Sequence, residues 1–126
     1  MRSGLDIRGG GPASRESQLL NPLTAAQKIH GIVLAGGSAF TLSAAGGVMR
    51  YLEERGVGFD VGATKVPLVV QSDIFDLTVG DHSVRPDEAM GYEAARLALE
   101  APTIRTAITA PAAARLSESY AAWNGA

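Results

Sequence analysis

HGIVLAGGSAFTLSAAGGVMRYLEER, residues 30–55, contains one change of period, and that change decides the fold class. Ile32-Val33-Leu34 is a short apolar run with two β-branched members. It is entered through His30-Gly31 and ended by Gly36-Gly37, which predicts a buried strand. From Thr41 to Arg55 the spacing becomes helical, with Leu42, Ala45, Met49 and Leu52 on one face. Glu53, Glu54 and Arg55 form the polar end, and Gly56 supplies a left-handed stop. Strand, glycine loop and helix in this order predict an α/β fold. Gly46-Gly47 lies inside the helix, where each glycine costs about 1 kcal/mol relative to alanine. Such a pair is expected where a second backbone packs close to the helix.

Downstream, Val66 to Val70 predicts a second strand, with Pro67 marking its beginning or an edge position. Ile74-Phe75 and Leu77-Thr78-Val79 are expected to extend or follow it. Arg85-Pro86-Asp87-Glu88 opens a helix, with proline preset for the first turn and carboxylates at the positive end of the dipole. Met90, Ala94, Leu97 and Ala98 give that helix a narrow apolar face as far as Glu100, and Gly91 again implies close packing. Upstream, Leu5-Asp6-Ile7 reads as the tail of a strand, and Gly9-Gly10-Gly11-Pro12 breaks any regular element. Asn21-Pro22 marks a turn, and Thr24 to Lys28 one short helical turn.

Bulk properties exclude several classes of function. The chain has 126 residues and a formal net charge of −2, enough for one small domain with no electrostatic attraction to nucleic acid. Its basic residues are scattered, among them Arg2, Arg8, Arg15, Lys28, Arg50 and Arg55. Cysteine is absent, which removes disulfides, thiolate metal sites and a cysteine nucleophile together. No run approaches the roughly 18 apolar residues of a membrane span, and Met1 is not followed by a leader-like apolar stretch. The expectation is a soluble cytoplasmic protein without cofactor or metal.

Gly36-Gly37-Ser38-Ala39-Phe40 invites comparison with the G-x-S-x-G elbow of hydrolases, but Phe40 replaces the final glycine. Ser38 is therefore read as a capping or loop residue before the helix. A phosphate loop would want a following lysine, and a dinucleotide fingerprint a different glycine spacing. His30 and His82 stand alone, without a second ligand at metal spacing. Asp60, Asp73, Asp76, Asp81 and Asp87 are numerous enough to include an acid or base, and spacing selects none of them.

Several blocks taken together carry a resemblance. They are Asp6-Ile7-Arg8-Gly9-Gly10-Gly11-Pro12, Ser14-Arg15-Glu16, Leu19-Leu20-Asn21-Pro22, and residues 30–40 (HGIVLAGGSAF). Residues 48–58 (VMRYLEERGVG), Val66-Pro67-Leu68-Val69-Val70, Ile74-Phe75-Asp76-Leu77 and Arg85-Pro86-Asp87 continue the series. In this order and spacing the chain from about Leu5 to Ala101 resembles the DmpA-like L-aminopeptidase/D-esterases, also called P1-family peptidases.

The resemblance implies an αββα sandwich similar in layering to the N-terminal-nucleophile hydrolases, here in part. It implies a precursor that cuts itself, the new N-terminal serine of a downstream subunit acting as nucleophile with its own α-amino group as base. Substrates would be N-terminal residues of short peptides, amides or esters, with no metal required, in tetramers or larger assemblies. Residues 1–102 are expected to be a fragment of the upstream subunit, and 103–126 an unrelated tail. None of the family's catalytic residues falls on a matched position, so the chain alone is expected to be inactive. Gly36, Gly37, Ser38 and Phe75 are the substrate-pocket candidates, Phe75 standing where some relatives carry a pocket tyrosine. The alternatives are a small non-enzymatic module using Gly36-Gly37-Ser38 as a ligand loop, or a functionless remnant. The family continues with a motif close to GNxGAGxGATVGK. Residues 106–119 (TAITAPAAARLSES), back-translated with free synonymous codons and read one base out of frame, admit GNNGAGCGATVGK. A one-base shift near Arg105 is the expected account of the tail.

Overall fold

A computed structural model describes residues 4–100; the tail at 103–126 and its expected frameshift lie outside them. In chain order the elements are β1 (Ser14–Arg15), β2 (Gly31–Ala35), α1 (Ala44–Glu54), β3 (Phe59–Asp60), β4 (Lys65–Val66), β5 (Val69–Asp73) and α2 (Glu88–Glu100). Short 3-10 turns occupy Ser17–Leu20 and Ser38–Ser43. The architecture is mixed α/β.

β2 and β5 lie side by side in parallel, Gly31 opposite Val69 and Ala35 opposite Asp73. Parallel neighbours need a long crossover, and α1 with the β3–β4 hairpin provides it. β1 runs antiparallel along the other edge of β5, Arg15 opposite Gln71, so the order is β1–β5–β2. Strand alternation sends Val33 and Ala35 of β2 and Val69 of β5 toward α1. There they form one core with Ala45, Val48, Tyr51 and Leu52. Leu34 points the other way and is 41% exposed.

The two helices pack against each other through glycine. A Cβ on Gly47 would fall on the Glu88 carbonyl oxygen, and one on Gly91 on that of Ala44. This is the close approach that the glycines predict. Tyr51 and Tyr92 meet edge to face beside it, ring centres 5.2 Å apart. α1 ends as expected at Gly56, φ 69°. The Gly56 N–H donates to the Glu53 carbonyl and the Val57 N–H to that of Leu52, the paired bonds of a Schellman stop.

Five local expectations are corrected. The helix expected from Thr41 begins at Ala44, because Ser38–Ser43 winds into a 3-10 turn. The Thr41 hydroxyl donates to the Gly36 carbonyl at 2.6 Å and tightens that entry. The strand expected at Val66 to Val70 divides at Pro67-Leu68. Val66 pairs with Phe59 while Val69 pairs with Gly31, so Pro67 separates two pairings. Leu77-Thr78-Val79 is not strand either: the Val79 N–H folds back onto the Asp76 carbonyl. Near the N-terminus, Leu5-Asp6-Ile7 pairs with no strand among the described residues. The turn placed at Thr24 to Lys28 sits earlier, where Asn21 accepts the Leu23 N–H on its side chain and the Thr24 N–H on its carbonyl.

Two more corrections concern α2. Its buried residues are Gly91 and Ala95, with Tyr92 and Leu99 against the core, not the face of Met90, Ala94, Leu97 and Ala98. The smallest residues take the closest approach, and Leu97 is left exposed. Asp87 caps the helix by accepting the Met90 N–H at 2.9 Å, which puts Pro86 before the cap instead of in the first turn.

Candidate functional site

In open parallel sheets ligands bind outside the carboxyl ends of the strands. β2 and β5 end together here, which brings Gly36-Gly37-Ser38 beside Ile74-Phe75-Asp76. Three hydrogen bonds join the two exits. The Ile74 N–H donates to the Ala35 carbonyl at 2.9 Å and the Ser38 N–H to the Ile74 carbonyl at 3.0 Å. The Gly37 N–H donates to Asp76 Oδ1 at 2.6 Å. Gly37 has φ 90° and Ser38 φ 58°, so the chain turns sharply on a glycine and then on a strained serine.

Of the four pocket candidates, Gly36 and Gly37 are buried and Ser38 is half-buried at the start of the 3-10 turn. Phe75 is 70% exposed just past β5. The cap of that turn is Gly37, which has no side chain to offer, and Ser38 is the turn's first residue. Phe40 and Ile74 are also exposed at this end of the sheet. The Arg85 guanidinium lies over the Phe40 ring at 4.0 Å, and its stem packs at ordinary contact distance from the Cβ position of Gly37. A crevice of roughly 10 Å³ beside Gly37 is lined by Asp76, Val79, His82 and Pro86 among others, about the room for one water.

A buried polar group lies beneath the turn. Gln71 Oε1 accepts the Ala45 N–H at 3.0 Å, and its Nε2 donates to the Thr41 carbonyl at 2.8 Å. The same Nε2 reaches both oxygens of Asp73, at 2.8 and 3.1 Å. Burial pushes the Asp73 carboxyl above the usual carboxylate range, and the Gln71 hydrogen bond draws it part of the way back.

Of the remaining candidates, Asp81 and His82 line the crevice beside Gly37, and the others are dispersed. His30 Nδ1 accepts the Leu68 N–H at 3.0 Å. Burial, with Lys28 adding to it, lowers its pKa. Asp81 is held by the hydroxyl and amide of Ser83 at 2.6 and 2.9 Å. Those bonds hold its pKa below the ordinary value, with a smaller contribution from His82. Asp60 accepts the Gly62 N–H and Asp87 caps α2. Of these five aspartates, Asp73 and Asp76 lie at the strand ends and Asp81 joins Asp76 around the crevice beside Gly37. Among the described residues no group of three or more His, Asp or Glu side chains could hold a metal ion. No helix there is long and apolar enough to cross a membrane.

A larger open cleft of roughly 1200 Å³ lies among the N-terminal loops, lined by Leu5, Ile7, Leu19, Asn21 and Lys28 among others. Lys28 is its one titratable lining side chain among the described residues, so it offers less chemistry than the strand ends. The ligand-loop alternative for Gly36-Gly37-Ser38 meets a physical obstacle, because the amides of Gly37 and Ser38 are already donated within the chain. Sequence reading missed Gln71, Thr41 and Arg85 as site residues. The one available signal was polar Gln71 and Asp73 at the same strand period as apolar Val69.

The family model described as Peptidase family S58 matches residues 1–110. An uncharacterized aminopeptidase of Mycobacterium leprae (strain TN) is 45% identical over 97 residues, 77% of this chain and 27% of the relative. Uncharacterized aminopeptidases of Mycobacterium bovis and Mycobacterium tuberculosis are 49% identical over 92 residues, 71% of this chain and 26% of each relative. The chain thus spans about a quarter of the length of these relatives.

Proposed function

Because the chain belongs to peptidase family S58, we propose that it is a portion of a serine-type aminopeptidase or amidohydrolase that matures by self-cleavage. The family match over residues 1–110 carries this reading, and the names of the relatives support it. The portion contributes pocket walls: Gly36, Gly37 and Ser38 on one strand exit and Phe75 on the other. The nucleophile is the new N-terminal serine of a downstream subunit, with its own α-amino group as base, which activates a weak hydroxyl without a separate histidine. Substrates are the N-terminal residues of short peptides, amides or esters. The sheet face that bears exposed Leu34 is the face a second sheet covers in an αββα sandwich, and the mature protein is a homo-oligomer.

Walls without a nucleophile or oxyanion donors cannot lower an acyl-transfer barrier. Residues 1–126 alone are therefore inactive, and 103–126 is a frameshifted tail. Two measurements test this. Purified chain is assayed on an aminoacyl p-nitroanilide against a matched blank, with no hydrolysis expected. The gene is resequenced through and beyond codon 105, and the frame-restored product is assayed in the same way. Hydrolysis by the short chain would overturn its inactivity; none by a restored, self-cleaved product would overturn the aminopeptidase reading.

A further inference from the structure

Asp76 uses its carboxylate inside the chain. We infer that Asp76 is the positioning residue of the pocket wall: it holds Gly37 and Ser38 in their left-handed turn and locks that turn to Phe75. The inference rests on the reading of Gly36, Gly37, Ser38 and Phe75 as wall residues.

Three observations carry it. First, Gly37 and Ser38 both have positive φ, 90° and 58°. Serine in that region costs energy and persists only where its surroundings enforce it. Second, the acceptor that meets this turn is a carboxylate oxygen at 2.6 Å from the Gly37 nitrogen. A charged acceptor makes a bond about twice as strong as a neutral one. Third, Asp76 is the residue after Phe75, which follows Ile74, whose N–H and carbonyl bond Ala35 and Ser38. The exits of β2 and β5 are closed like a zip over Ala35–Ser38 and Ile74–Asp76, so the two halves of the wall move as one piece. The Asp76 carboxylate sits where an external anion would have to bind the Gly37 amide.

The test follows amide hydrogen exchange by NMR in the chain of residues 1–126, with Val33 as a reporter of global opening. Asp76→Ala is expected to speed exchange at Gly37 by about tenfold or more, the loss of one charge-assisted bond, with Val33 changed far less. Asp76→Asn keeps an oxygen at that position and is expected to fall between Asp76→Ala and the unaltered chain. It also provides the reading if Asp76→Ala does not fold. The inference is overturned if Gly37 exchange is unchanged in the variant that folds, or if Gly37 and Val33 accelerate equally. Exchange reports turn geometry and not turnover, so a failed hydrolysis assay leaves this result standing, and a failed exchange result leaves the aminopeptidase reading standing.

Discussion

Gly46 and Gly47 are neighbours in α1, yet replacing each by alanine should move stability in opposite directions. Either change gains about 1 kcal/mol of helix propensity. At Gly46 the new methyl would meet Glu88 Oε1 at 3.0 Å. That is the free end of an exposed side chain, which swings away, so Gly46→Ala should stabilise by about 0.5–1 kcal/mol. At Gly47 the methyl falls on the Glu88 carbonyl oxygen, with the Tyr92 nitrogen 2.6 Å away. Neither can move without moving α2. A radial opening of about 0.5–1 Å already forfeits a quarter to a half of the dispersion attraction at a contact. The opening would loosen Tyr51, Val48 and Ala95 together. Overpacking costs about 1–3 kcal/mol where side chains can adjust, and backbone against backbone belongs at or above the top of that range. The net for Gly47→Ala is a loss of about 2 kcal/mol, some 3 kcal/mol below Gly46→Ala. For a domain of this size, 1 kcal/mol moves the melting midpoint by about 4–8 °C, so the two variants should melt at least about 10 °C apart. Thermal unfolding followed by far-UV circular dichroism reads the difference. Equal midpoints, or Gly47→Ala above Gly46→Ala, would refute the helix crossing.

Three further outcomes follow from individual groups. The buried Tyr51 hydroxyl has no hydrogen-bond partner among the described residues, so Tyr51→Phe should be neutral or stabilising by up to about 1 kcal/mol; denaturant titration showing a clear loss would mean that the hydroxyl is satisfied. His30 has a folded pKa below its reference of 6.5, from burial first and Lys28 second. Its contribution is complete above that reference and is lost as pH falls through the folded value. Stability relative to His30→Asn should therefore decline between pH 7 and 5, and parallel curves would contradict it. Asp73 is shifted the other way, above its reference of 3.8. Its stability relative to Asp73→Asn should rise as pH falls from 7 toward that reference; a constant gap across that range would place the carboxylate in solvent.

What could be read along the chain was what the chain specifies locally. The β2–Gly36-Gly37–α1 unit was legible because its change of period and the stop at Gly56 need no distant partner. Close packing of the helices was legible because only a near backbone explains Gly47 and Gly91. β1 was not, since two residues carry no period and Ser14-Arg15 is strand only because the edge of β5 is there to pair with it. The buried face of α2 was misplaced for a related reason. Apolar periodicity marks Met90, Ala94 and Leu97, while the helix crossing rewards small size and turns Gly91 and Ala95 inward. Asp76 stayed one of five equivalent aspartates, because its partner Gly37 is 39 positions away.

The site was nevertheless encoded where the strand pattern fails. β5 is Val69-Val70-Gln71-Ser72-Asp73, and two of its three positions facing α1 are polar. A buried amide is costly unless its donors and acceptor are used, and Gln71 uses both ends of its side chain. Its oxygen takes the Ala45 N–H, a donor left without an intrahelical partner at the start of α1. Its nitrogen holds the Thr41 carbonyl of the preceding turn and the Asp73 carboxylate. Apolar residues at 71 and 73 would pack against α1 but take the side-chain acceptor from that amide in the interior and leave the Thr41 carbonyl with the Ala44 N–H alone. The interruption in the strand therefore fixes where the helix begins, and with it the direction in which Gly37 and Ser38 leave the sheet. Here the polar residues on a buried strand face mark the strand that aims the candidate site, and local rules are expected to break first at such positions.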